Sequence, residues 1–119
     1  MSMDASLFKI RVMGYIKHHA ILVTSYDERI ALAHNKAKDI FHGLVSDIVK
    51  SRVNGYASFF IAPDGSKEGW EQSYEGDRER DAFIQWINEQ AHEDGSNAIS
   101  YAEVFYGEDN RKSEVERHN

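Results

Sequence analysis

Arg80 is the side chain in this sequence best placed to do chemistry. At about 100° per residue it falls between Ile87 and Ala91, inside the apolar arc of the helix expected around it. A guanidinium held there can act as a fixed fork for a carboxylate or phosphate in a pocket between helix and sheet. Its bland role is a stem lying on apolar surface, with the charged head in water or paired to a nearby Glu. Tyr74 and His34 are the polar groups expected to converge with it on a ligand. His34 lies about 40° from Ile30 and about 20° from Phe41 on a helical wheel, so it borders an apolar stripe.

The other histidines promise less. His18 and His19 are adjacent, and neighbouring side chains in a strand point to opposite faces, so the pair cannot easily chelate one ion. If the chain reverses at this point, they are solvated turn residues. His42 falls on the polar side of its helix, with His92 and His118 near the end of the second helix and in the tail. No two of the six histidines stand at the i, i+4 spacing that puts two ligands on one helical face, and there is no cysteine, so no metal site is expected. The 20 acidic residues could include an acid and base pair facing a cleft, but sequence does not supply that distance. No Gly-x-Ser-x-Gly elbow or His-Glu-x-x-His occurs, and no cofactor is implied.

The stretch PDGSKEGW, residues 63–70, carries Gly, Ser and Lys together. A phosphate-binding loop needs Gly-x-x-x-x-Gly-Lys-Ser/Thr running into a helix. The order is wrong here, and Pro63, Asp64 and Gly65 are the chemistry of a hairpin turn, so the expected successor is a strand through Trp70, Gln72 and Tyr74.

These residues must be positioned by a small set of elements. Residues 7–25 read as a hairpin turning near the His pair, or as one bent strand kinked at Gly14. Ser25 and Glu28 have the spacing of a capping box, and Ile30, Ala33, Ala37, Ile40, Phe41, Leu44 and Ile48 predict a helix to about Lys50, ended by Asn54-Gly55. YASFFIA predicts a strand. Gly76-Asp77 can open a second helix, with Phe83, Ile84, Trp86, Ile87 and Ala91 as its buried face. AISYAEVFY is the last strand, and residues 107–119 lack apolar periodicity and read as a polar, flexible tail. The expected architecture is α+β over residues 1–106: an antiparallel sheet of four to five strands with two helices on one face. Its order is ββαββαβ, or the ferredoxin-like βαββαβ if the first two strands are one.

A chain of 119 residues makes one domain, and 41% hydrophobic with 29% charged residues is an ordinary globular composition. A net charge of -6 argues against nucleic acid as a partner. Apolar runs as short as AILV and FFIA are not membrane spans, and the chain reads as cytoplasmic.

The segments APDGSKEGWEQSYEGDRERDAFIQWI and AEVFYGED resemble a group of short bacterial proteins of uncharacterised function. The resemblance covers most of residues 6–109 and implies a compact α+β domain, with no catalytic or binding residues to carry across. The favoured function is a non-enzymatic domain acting through protein interaction or self-association. The last strand is apolar on both faces, more than two helices can cover, and Tyr101, Phe105 and Trp70 are the expected partner surface. The alternative is a small-molecule sensor or small enzyme with a pocket between sheet and helices.

Overall fold

The computed structural model describes residues 15–107 and 112–119. In chain order the elements are β1 (His18–Tyr26), α1 (Asp27–Phe41), a 3-10 turn (His42–Leu44), β2 (Val49–Lys50), β3 (Tyr56–Ile61), α2 (Glu71–Glu89), β4 (Ser100–Tyr106) and β5 (Glu114–His118). The strands form one antiparallel sheet in the order β2-β3-β1-β4-β5. The fold is thus α+β, with a five-stranded antiparallel sheet and two helices, as the apolar patterning predicts. Of the first strand expected at residues 7–16, residues 7–14 lie outside the described residues.

Alternation along the central strand divides the sheet into two faces. Ile21, Val23 and Ser25 of β1 turn toward the helices with Ala57, Phe59 and Ile61 of β3 and Tyr101 of β4. Ile30, Ala33, Ala37 and Phe41 of α1 and Phe83, Ile84 and Ile87 of α2 close over them as one core. Phe41 and Phe83 meet edge to face at 5.7 Å, joining the two helices.

α1 ends, and α2 begins, away from the positions that the sequence pattern suggests. α1 stops at Phe41, nine residues before Lys50, where His42 takes φ 53°. The sheet takes over the residues beyond: Ala62 N–H donates to Leu44 O at 2.8 Å and Ser46 N–H to Phe60 O at 2.9 Å. Edge pairing of β3 therefore outweighs continuation of the helical stripe through Leu44 and Ile48. No capping box forms, because the Ser25 hydroxyl donates to Ala98 O at 2.8 Å instead.

α2 begins at Glu71, so Trp70, Gln72 and Tyr74 do not form a returning strand. Its buried stripe is Ser73, Gly76, Arg80, Phe83 and Ile87, spaced by three and four. The first half of that stripe is small or polar, which hides it from a search for apolar periodicity. PDGSKEGW is accordingly a β3–α2 connection and not a hairpin. Asp64 Oδ1 accepts from the Ser66 amide and hydroxyl within it, and Glu68 N–H donates to Tyr15 O at 2.7 Å.

The tail reading also needs correction. Glu114–His118 pair with β4 as an edge strand, with a bulge opposite Glu103 and Val104. Asn119 extends the pairing through its side chain, accepting from Tyr101 N–H at 3.0 Å and donating to Ile99 O at 2.7 Å.

Candidate functional site

Two features of the fold could carry function: a charged cleft on the helix side, and the opposite face of the sheet.

The cleft, about 550 Å³, lies where α2 meets the β1–β4–β5 end of the sheet. Its floor starts with Glu103, which occupies a core-facing position of β4 and is buried at 2% exposure. A carboxylate there requires partners, since an unpaired buried charge costs several kcal/mol. Arg117 of β5 supplies two bonds, Nε to Oε1 and Nη2 to Oε2 at 3.0 Å, and Arg80 Nε stands 3.5 Å from Oε2. Arg80 donates in turn to Asp77 one helical turn earlier, and Arg117 Nη1 to Asp81 at 2.8 Å. The result is an alternating chain, Asp77–Arg80–Glu103–Arg117–Asp81, running from helix to sheet and back. The bonds to Glu103 and Asp81 raise the Arg117 pKa and keep it charged.

Gly76 gives this chain room. A Cβ at that position would stand 2.9 Å from Asp64 Oδ2 and 3.1 Å from Arg80 Nη1. Burial pushes the Asp64 carboxyl up, but the Ser66 hydrogen bonds, the Arg80 charge and Gln72 outweigh it and leave the pKa below its ordinary 3.8. At the cleft's other wall His19 Nε2 meets Glu68 Oε1 at 3.0 Å, and the Ser73 hydroxyl donates to Glu68 Oε2 at 2.8 Å. Burial raises the Glu68 carboxyl too, yet these hydrogen bonds, together with the charges of His19 and Lys17, bring it below its ordinary 4.5. With Asp64 and Glu68 ionised, the PDGSKEGW loop turns two carboxylates inward, the opposite of a phosphate cradle.

The His pair is therefore not a solvated turn. Both residues stand at the start of β1 on opposite faces, His19 in the cleft and His18 packed 5.5 Å from the Tyr106 ring. Of the three expected ligand residues, only Arg80 lines the cleft. Tyr74 stands half exposed on α2, and His34 Nε2 bonds Ser46 O at 2.8 Å with its ring edge-on to Phe59. Glu103, Glu68 and His19 are the residues that sequence reasoning missed. Glu103 had a signal: it is a charge at the core-facing parity of an otherwise apolar strand.

The expected partner residues also sit elsewhere. Tyr101 is 7% exposed under α2, with its hydroxyl pKa raised by burial and by Glu103, so it offers no partner surface. Phe105 is half-buried on the helix side beneath the Lys17 ammonium at 3.8 Å. Trp70 is exposed just ahead of α2, near Lys67. The apolar surface lies instead on the sheet face turned away from the helices. Leu22 (51% exposed), Phe60 (40%), Tyr106 (37%), Val115 (56%), Tyr26 (42%) and Tyr56 (47%) stand on it. The register places Phe60, Leu22 and Ala102 side by side across three strands, and Ala20, Val104 and Val115 in the next row. A polar row of Ser58, Thr24 and Ser100 separates these from Tyr26 and Tyr56. No Asp, Glu, Lys or Arg of β1, β3 or β4 points to this face.

The chain matches no protein-family model, no curated protein and no solved structure. Among the described residues no helix is long and apolar enough to cross a membrane, and no group of three or more His, Asp or Glu could hold a metal ion.

Proposed function

We propose that this protein is a non-catalytic interaction domain that pairs with a second copy of itself through the open face of its sheet. The observation that carries the reading is the apolar surface centred on Leu22, to which no Asp, Glu, Lys or Arg of β1, β3 or β4 points, in a chain where 29% of residues are charged. Soluble monomers seldom leave a contiguous apolar patch of this kind in water. With strands about 4.8 Å apart and about 3.3 Å per residue, the 29 residues of the five strands give a face with a projected area of roughly 460 Å². Side chains standing on it bring the accessible area toward the ~800 Å² per partner of a standard interface. A second copy suits it because a face without charges meets its own image with no like-charge repulsion, despite the chain's net -6.

The order β2-β3-β1-β4 supports a ferredoxin-like reading with β5 appended at the edge, an arrangement whose two helices cover only one side of the sheet. The acidic balance speaks against nucleic acid, and the absence of cysteine suits a cytoplasmic setting. The likeness to short bacterial proteins adds no activity to this reading.

Leu22 is the middle residue of the middle strand, so a two-fold axis through the sheet centre sets it against its own copy. A Leu22→Cys variant of this cysteine-free chain should form disulfide-linked dimers under mild oxidation, while Leu32→Cys on the exposed side of α1 should not. Equal cross-linking at both positions, or none at position 22, contradicts the proposal.

A further inference from the structure

We infer that Asn54 is a site of self-modification, at which the hairpin between β2 and β3 converts its own asparagine to aspartate or isoaspartate with water as co-reactant. Asn54-Gly55 is the one Asn-Gly step in the chain. The other asparagines that have a successor precede Lys36, Glu89, Ala98 or Arg111, whose side chains crowd the amide that would have to attack. Asn54 and Gly55 form the tip of the β2–β3 turn at φ 66° and 69°, and both are exposed. Among the described residues neither the Asn54 carboxamide nor the Gly55 N–H has a hydrogen-bond partner. A Cβ added at Gly55 would meet nothing within 4 Å, so no other group packs over that backbone.

Two related steps in the same chain show what restrains such a residue. Asp64 precedes Gly65, and Asp94 precedes Gly95. Each aspartate turns Oδ1 onto the amide and the hydroxyl of the serine two residues on, Ser66 at 2.9 and 2.6 Å and Ser96 at 2.9 and 2.7 Å. Those bonds hold the side chain away from the glycine nitrogen that follows it. Both groups are also carboxylates, which at neutral pH carry a negative charge and repel a nucleophile. Asn54 has neither restraint: its side chain is neutral and untied.

In the reaction the Gly55 nitrogen attacks Asn54 Cγ. A carbon–nitrogen bond closes a cyclic imide, and the carboxamide nitrogen leaves as ammonia with the proton that Gly55 gives up. Water then opens the imide at either carbonyl, which yields aspartate or isoaspartate. The turn has to open for the ring to close, and β2 resists this weakly. It is two residues long and is held by the pairs Val49–Ser58 and Lys50–Ala57, with Ser51 N–H donating to Tyr56 O at 2.9 Å. Isoaspartate routes the chain through its side-chain carbon, lengthening the loop by one backbone atom, so the modified hairpin loses that register. No second copy takes part, and the step is independent of the self-pairing reading.

Incubation of the intact chain in mildly alkaline buffer for several weeks, followed by peptide mass spectrometry with electron-transfer fragmentation, tests this. The expected result is an amide-to-acid mass change at residue 54 ahead of every other asparagine, in a mixture of normal and iso linkages, with one acidic step on isoelectric focusing. An Asn54→Gln variant should keep its charge over the same period. The isolated isoaspartate form should lose amide-exchange protection at Ser51 and keep it at Val23 in the sheet centre. An unconverted Asn54 at the end of the incubation, or isoaspartate forming at Asp64 or Asp94 as fast as at residue 54, overturns the inference.

Discussion

Glu103 and Arg80 owe their energetics to burial, with side chains 3% and 9% exposed at a 3.5 Å separation. A buried pair of this kind is seldom a net source of stability, but removing Glu103 leaves the buried Arg80 guanidinium with the exposed Asp77 alone, whereas Glu103 keeps Arg117 when Arg80 is removed. Glu103→Met should therefore lower stability by about 3 kcal/mol in urea unfolding, and the Arg80→Met/Glu103→Met double replacement should recover part of that loss. Additive losses would argue against coupling. A second prediction concerns acid. Glu68 and Asp64 have folded pKa values below their ordinary 4.5 and 3.8, so the stability they contribute is fully present above those values and is lost as pH falls through the lowered ones. Thermal unfolding followed from pH 6 down to pH 3 should show a falling midpoint, with a shallower fall in Glu68→Gln; parallel profiles would remove Glu68 from the account. Arg80 was legible in the sequence because it interrupts an apolar arc. Of its partners, Glu103 left a trace as a charge at the core-facing parity of an apolar strand, whereas Glu68 is a single member of a set of 20 acidic residues and only tertiary register tells it apart.

At the scale of elements, strong apolar periodicity located the core of every helix and strand it touched: Ile30 to Phe41, Phe83 to Ile87, and the alternation of Tyr56 to Ile61. It failed where polar or small residues carry the structure. The opening of α2 hides behind Ser73 and Gly76, and β5 behind the sequence EVERH, whose charges suit an exposed edge strand. The end of α1 was misplaced for another reason: Leu44 and Val45 fit a helix locally, but they pair with the end of β3. β5 is held in part by the Asn119 side chain, which satisfies Tyr101 N–H and Ile99 O beside it. Asn119→Ala should cost about 1 kcal/mol and speed amide exchange at Tyr101 selectively. Unchanged exchange there would mean that β5 is anchored by its ladder and by Arg117 alone.

For the whole molecule, the division of labour between the two sheet faces is the central point. One face meets two helices and ends in an ion-paired cleft; the other presents Leu22, Phe60, Tyr106 and Val115 to water. Placing a charge at the middle of that second face should cost little in the isolated chain, since Leu22 is already 51% exposed, but should block face-to-face pairing by setting like charges opposite each other. The most direct test is the solution mass at micromolar concentration by sedimentation velocity, for the intact chain and for Leu22→Glu. The account predicts a species of twice the 13.7 kDa chain mass for the former and of one chain mass for the latter, with unfolding midpoints showing that both are folded. A single-chain mass for the intact protein, or a dimer that survives Leu22→Glu unchanged, would contradict it.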